Sequence, residues 1–293
     1  MAVQQPDKNY DCERNPNLQI YNAPAVAQYY ATLEYLTSCE QLLFGAHLHS
    51  GMNILDIGVG GGRTTRYLAS IAGRYVGADY APEMIAACRK KYPQLEFVTA
   101  DAADLSPFSS SSFHAVVMTF NTIDYLFPDE SRFQALREVH RVLAPEGIFI
   151  FSTHNPRSIW IRPSWNRHRL RNLAETIAGR SSILAALSFS FLAAMRVSLA
   201  VLQSLLRSLA RAANRLSTRT FWRGDGYWMD PAHGGLKTHF AVPSKVAHEL
   251  DEFGFRLLQE LGDDYPRRNH LSTTDWYYYV FSKKKAEPPT GEA

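Results

Sequence analysis

The stretch Asn53-Ile54-Leu55-Asp56-Ile57-Gly58-Val59-Gly60-Gly61-Gly62-Arg63-Thr64-Thr65 constrains this chain more than any other. A short apolar run carries an acid near its end. Glycines follow at every second position, and an apolar helix pattern comes next. This predicts strand, tight turn, helix. Glycine is wanted where the backbone turns sharply or must approach a ligand closely, because it has no Cβ to clash. In an open α/β sheet, ligands bind beyond the carboxyl ends of the strands. The turn is therefore expected to floor a binding site. A dinucleotide fingerprint, G-x-G-x-x-G, would need its third glycine at Arg63 or Thr65, and a P-loop would need Gly-Lys-Ser/Thr. Neither fits.

From Met52 to Thr153 strand and helix patterns alternate, which calls for a parallel sheet with helices on both faces. Strands are expected over 74–78, 95–100, 113–119 and 148–151, and helices over 64–72, 82–91 and 130–143. Pro82 suits a first helical turn, where its missing N–H is no loss. The strands end in Asp79-Tyr80, Asp101-Ala102 and Phe120-Asn121. The run 136–147 closes in a Pro145-Glu146-Gly147 turn. Beyond Gly234-Gly235, strands are expected over 236–242, 255–261 and 276–281, with a helix over 243–253.

The D-x-G-x-G-x-G from Asp56 to Gly62, the acids Asp79 and Asp101 in that order, and the helix–turn–strand around Gly147 together resemble the class I S-adenosylmethionine-dependent methyltransferases. The resemblance covers roughly residues 51–155 and, more weakly, 236–282. It implies a Rossmann-like, seven-stranded, mostly parallel α/β sheet whose last strand is antiparallel and slots between its neighbours. It implies S-adenosyl-L-methionine as cofactor. Asp56, Gly58, Gly60 and Gly62 would hold the methionine part, with Arg63 facing its carboxylate or, alternatively, solvated on the helix surface. Asp79 would accept the ribose hydroxyls, since a carboxylate offers two acceptor oxygens, with Tyr80 and Met84 beside it. Asp101 and Ala102 would meet the adenine, and Phe120 and Asn121 would close the site. An N-terminal helix over 23–49 would fold across the cofactor, with Tyr21, Tyr29 or Tyr30 touching it or serving as ordinary core.

The reaction implied is methyl transfer by in-line displacement to a small or lipophilic acceptor. A base is wanted if the acceptor is an alcohol or acid. His154, directly after the fifth strand, is the first candidate; Asp124, Tyr125 and His239 follow, each with a structural role as alternative. The residues Asn121-Thr122-Ile123-Asp124 stand where an Asn-Pro-Pro-Tyr would indicate adenine or glutamine-amide methylation. No metal constellation is apparent. The alternative function is a protein that keeps the cofactor fold, or sits at a membrane surface, without turnover.

Hydrophobic residues make up 46% of the 293, enough for a packed core. Cys12, Cys39 and Cys88 show no metal spacing and read as reduced thiols. Residues 1–14 lack an apolar signal core, so the expected location is cytoplasmic, with peripheral membrane association as the variant. The net charge of +3 hides an asymmetry: residues 157–223 hold twelve Arg, no Lys and one acid, Glu175, hence +11 against −8 elsewhere. Within that segment 183–206 is largely apolar, and Arg196, Arg207, Arg211 and Arg215 fall close to one helical face. The segment reads as a helical lid, a surface helix on anionic lipid, or a contact between copies of the chain; a spanning helix is disfavoured because Arg196 would sit near mid-bilayer. Nucleic acid is disfavoured because stacking aromatics are not interleaved with the arginines. The expected organisation is a cap over 1–50, a core over 51–155 and 236–283, an Arg-rich helical insert over 156–235, and a disordered tail over 284–293.

Overall fold

The computed structural model describes residues 17–156, 223–230, 236–263, 265 and 276–285. The Arg-rich stretch up to residue 222, with its expected lid, lipid and self-association roles, lies outside them, as do the N-terminal arm and the tail beyond residue 285. Among the described residues, no helix is long and apolar enough to cross a membrane.

Five strands pair in parallel: β1 (Asn53–Ile57), β2 (Arg74–Asp79), β3 (Glu96–Thr99), β4 (Phe113–Met118) and β5 (Leu143–His154). Two more complete the sheet, β8 (Phe255–Gly262) and β9 (Trp276–Lys283). The order is β3-β2-β1-β4-β5-β9-β8, and β9 runs antiparallel to both neighbours. Near-continuous apolar strands are what a sheet covered on both faces requires. Alternate residues go to opposite sides. Leu55, Val116 and Met118 pack with Leu136 and Val139 of α6 (Asp129–Val142) and Leu250 of α7 (Pro243–Glu252). Ile54, Ala115 and Val117 pack with Leu68 of α4 (Thr65–Ile71) and Ile85 of α5 (Pro82–Lys91).

Three features depart from the sequence expectation. First, the helix expected over 23–49 is broken. After α1 (Leu18–Tyr21) come α2 (Pro24–Ala31) and α3 (Ser38–His47). Thr37 starts α3 with a capping box: its side chain accepts from the Glu40 N–H at 3.2 Å, and Glu40 Oε2 accepts the Thr37 N–H at 2.8 Å. A reciprocal cap satisfies two orphan helix donors, so a new helix begins there. Second, β5 starts at Leu143 rather than at 148, because the Pro145-Glu146-Gly147 turn is carried within it as a register shift against β4. Third, Leu236–Ala241 (β7) does not rejoin the main sheet. It pairs antiparallel with β6 (Asp225–Asp230), inside the stretch expected to be helical, as a separate two-stranded ribbon.

Glu40 also ties the cap to the core. Its carboxylate takes both terminal nitrogens of Arg63, at 2.7 and 2.6 Å, and both side chains are buried. Arg63 donates further to the Tyr35 carbonyl at 2.9 Å and to Thr119 Oγ1 at 3.2 Å. On the other side of the turn, Asp56 Oδ2 accepts hydroxyls from Thr64 at 2.7 Å and Tyr75 at 3.0 Å, joining β1, the start of α4 and β2. Burial pushes the Asp56 carboxyl up to about 6 despite those bonds.

Two outcomes are expected. Arg63→Ala strands a buried carboxylate and should lower unfolding free energy by roughly 3–5 kcal/mol, whereas Arg63→Met with Glu40→Leu should lose much less; urea denaturation separates the two. For Asp56, the folded carboxyl holds its proton more tightly than the unfolded one. Its contribution is therefore full below pH 4 and lost as pH rises through about 6. Asp56→Asn, whose hydroxyl partners can rotate, should gain on the wild type by on the order of 2 kcal/mol between pH 4.5 and 7.5. A pH-independent gap between the two proteins would contradict this.

Candidate functional site

The order β3-β2-β1-β4-β5 reverses its direction of growth between β1 and β4, and the crevice beyond their carboxyl ends is where such sheets bind ligands. A cleft open to solvent lies there, lined from the ends of β1, β2 and β4 and from the cap.

Its floor is the glycine turn. Gly58, Gly60 and Gly62 all have positive φ, at 69°, 54° and 83°. The N–H groups of Gly58 and Val59 both reach the Ala78 carbonyl, at 2.8 and 3.0 Å, which binds the turn to β2. The glycines differ in what they accommodate. A Cβ on Gly58 would lie 2.3 Å from Thr122 Cγ2. On Gly61 it would lie 2.2 Å from the Ala31 backbone nitrogen, so this residue admits the cap. On Gly60 it would meet nothing nearer than Tyr30, at 3.8 Å; here the left-handed backbone itself asks for glycine. Gly58, Gly60 and Gly61 line the cavity. Gly62 does not; it faces Tyr92, Thr65 and Cys88. Asp56 likewise turns inward, to the hydroxyls described above, rather than to the cavity.

Asp79, at the end of β2, is buried but lines the cavity. Its Oδ2 accepts the Gly60 N–H and its Oδ1 the Ala81 N–H, each at 2.9 Å. Burial pushes its carboxyl up to about 6, and those backbone donors oppose the rise. Each oxygen keeps a lone pair beyond its backbone bond. Tyr80, Met84, Asp101 and Ala102 continue the same wall. The Tyr80 hydroxyl is buried with no hydrogen-bond partner.

The roof is aromatic. Tyr21 stands edge-on to Tyr30, Tyr80 and Tyr125, with centroids 5.7–6.3 Å away. Burial raises the Tyr21 and Tyr80 phenols above their ordinary range, so these walls are neutral. Tyr21 and Tyr30 thus reach the cavity, whereas Tyr29 is exposed. At the far end, Phe120 and Trp276 meet edge to face at 5.0 Å. Arg63 lines the cavity too, with its guanidinium 4.5 Å from the Phe120 ring centre. It is not solvated on the helix surface: it is buried, with Glu40 as its carboxylate partner.

His154 is not among the lining residues. Its Nδ1 lies 2.8 Å from Asp124 Oδ2, and its Nε2 lies 3.2 Å from Asn121 Nδ2. With both ring nitrogens engaged behind the wall, it is not placed to take a proton from a bound acceptor. Asp124 and His239, picked out separately in the sequence, prove to be its neighbours: His239 Nδ1 stands 3.5 Å from Asp124 Oδ1. Tyr125 lines the cavity and Asp124 does not.

Sequence reasoning missed Glu40, Gly61, Thr119 and Trp276. The capping box Thr37-x-x-Glu40 was a usable signal for Glu40. The other three depend on which element packs opposite, and no local pattern carries that.

Residues 54–147 match the family model for a methyltransferase domain. The demethylmenaquinone methyltransferase of Chlorobaculum tepidum is 36% identical over 131 residues, covering 44% of this chain and 52% of that protein. The fatty-acid O-methyltransferase of Mycolicibacterium smegmatis is 32% identical over 169 residues, covering 56% and 57%. The chain thus spans about half the length of these relatives. In fold it is similar to the 1,6-didemethyltoxoflavin-N1-methyltransferase of Burkholderia thailandensis, with TM-score 0.51 and 13% identity over 97% of this chain and 93% of that one. The match in sequence falls on the strands that carry the glycine turn and both strand-end acids, and the sheet order extends the likeness through β9. Residues 54–147 are thus similar to a methyltransferase domain, on a fold shared with a solved methyltransferase.

Proposed function

We propose that this protein transfers the methyl group of S-adenosyl-L-methionine, by in-line displacement, to a small, lipophilic acceptor. The observation that carries the reading is Asp79. It is a buried carboxylate held by two backbone N–H groups at the head of β2, beside a glycine turn that leaves the cavity floor bare. A carboxylate so held suits a pair of vicinal hydroxyls, as on a ribose. The cofactor supplies a methyl group activated on a sulfonium, and the acceptor supplies the electron pair. What the chain contributes is positioning, which is worth a large effective concentration. Gly58, Gly60 and Gly61 allow close approach, and Asp79 and Asp101 orient the adenosine end. The rings of Tyr21, Tyr30, Tyr125 and Trp276 exclude water from the remainder.

The acceptor class follows from the lining. Among the described lining residues Arg63 is the only cation, and Glu40 neutralises it. The walls facing the rest of the cavity are mostly phenyl, phenol and indole rings, with Thr119, Asn121, Thr122 and Leu126 among them. A flat or chain-like apolar body fits them better than a free anion. The relatives named for demethylmenaquinone and for fatty acids support a lipophilic acceptor.

Calorimetric titration with S-adenosylhomocysteine tests the cofactor half. Wild type should bind saturably. Asp79→Ala should bind about ten- to a hundred-fold more weakly, since hydrogen bonds to a charged group are worth roughly 1.5–3 kcal/mol. Hydroxyl donors need the charged form of Asp79, which the ligand-free protein loses as pH falls through about 6. Affinity should therefore be level above pH 7 and decline below 6, by at most about tenfold per unit. An affinity indifferent both to pH and to Asp79→Ala would overturn the assignment.

A further inference from the structure

Phe120 and Asn121, where β4 opens into the cavity, both lie in the left-handed region, at φ 57° and 60°. Two consecutive non-glycine residues there are uncommon and persist where the surroundings over-determine them. For Asn121 the surroundings are specific. Its backbone N–H donates to Ser152 Oγ at 2.8 Å, and its side-chain Nδ2 lies 3.2 Å from His154 Nε2. An amide N–H can donate only to a ring nitrogen that bears a lone pair. A proton on His154 Nδ1 meets that requirement, and the Asp124 carboxylate stands 2.8 Å away to accept it. The same Oδ2 accepts the His154 backbone N–H at 2.6 Å, so the ring is referenced to its own main chain.

Asp124 is fully buried on the short 3₁₀ turn Thr122–Tyr125. Burial works against its charge, but the bond from His154 and the nearby ring of His239 outweigh this and hold its carboxyl below the ordinary value. His239, on β7, continues the line: its Nε2 lies 2.8 Å from Oδ1 of Asp225, the first residue of β6. A buried polar chain therefore runs from Asn121 in the cavity wall, through His154, Asp124 and His239, to the β6–β7 ribbon.

We propose that His154 is a positioning residue. As the neutral Nδ1–H tautomer locked by Asp124, it fixes Asn121 in its left-handed conformation at the cavity wall without touching a ligand itself. The inference rests on the cavity being the cofactor site proposed above. It assigns to the dyad a function that neither residue's sequence position indicates. It also explains why a histidine beside a reaction cavity has no ring nitrogen facing it.

The test is a double-mutant cycle on S-adenosylhomocysteine affinity, with ¹⁵N NMR of the histidine rings alongside. His154→Leu should weaken binding by about tenfold, the loss of one well-placed polar contact. Asn121→Ala should do the same, and the double variant should be no worse than Asn121→Ala alone, because residues acting as a unit are not additive. His154→Gln can accept from Asn121 and donate to Asp124 through one amide, and should bind within about threefold of wild type. The NMR spectrum should place the His154 proton on Nδ1, whether or not ligand is present. Additive losses, unchanged affinity in a folded His154→Leu, or a proton on Nε2 would overturn the proposal while leaving the cofactor reading intact. Wild-type protein that fails to bind S-adenosylhomocysteine would remove both. Should the leucine variant not fold, the glutamine variant and the NMR tautomer still decide.

Discussion

One buried ion pair sets the geometry on which the cavity depends. Arg63 leaves the glycine turn toward the cap, and Glu40 leaves the first turn of a cap helix toward the core. Two charges taken out of water are costly unless nearly every donor and acceptor is met. Here the carboxylate receives both arginine nitrogens and the Thr37 N–H, while the guanidinium also reaches Tyr35 and Thr119. Such a pair tolerates little displacement, so the cap is referenced to the floor. Gly61 then lets α2 sit against the turn backbone itself. Tyr21 and Tyr30 become a roof for this reason rather than through any preference of their own for a ligand.

Two acids near the ends of neighbouring strands do different work. Asp56 and Asp79 are both buried, and burial raises both to about 6. Asp56 satisfies itself on the hydroxyls of Thr64 and Tyr75 and so is a joint within the fold. Asp79 uses backbone amides at the rim of the cavity and so remains available to a ligand. The difference lies in what stands opposite each carboxylate, which is a property of the packed sheet.

That distinction marks the limit of what the chain's sequence discloses. The parallel core was readable, because strands buried on both faces leave continuous apolar runs between polar ends, and the turn from Ile57 to Arg63 is local. Most of the residues expected near a cofactor do line the cavity, because most follow strand ends and strand ends converge. The exceptions are informative. Gly62 and Asp56 belong to the turn but face away from the cavity, since successive residues of a tight turn cannot all face one way. His154 was read as a candidate base at the end of β5, or as a structural residue there. Its partners Asp124 and His239 lie 30 and 85 positions away, and no spacing rule links them. The break between α2 and α3 was present in Thr37-x-x-Glu40 but masked by aromatic residues that suit a longer helix. The β6–β7 ribbon went unread because β6 lies inside a segment dominated by arginine and apolar helix formers.

β5 ends at His154 and the separate ribbon begins at Asp225, and both residues belong to the one polar line through Asp124 and His239. Neither the pairing of β5 with β9 nor that of β6 with β7 draws on residues 157–222. The register of sheet and ribbon is therefore written in the strands themselves, and a change made between His154 and Asp225 alters no paired residue of either.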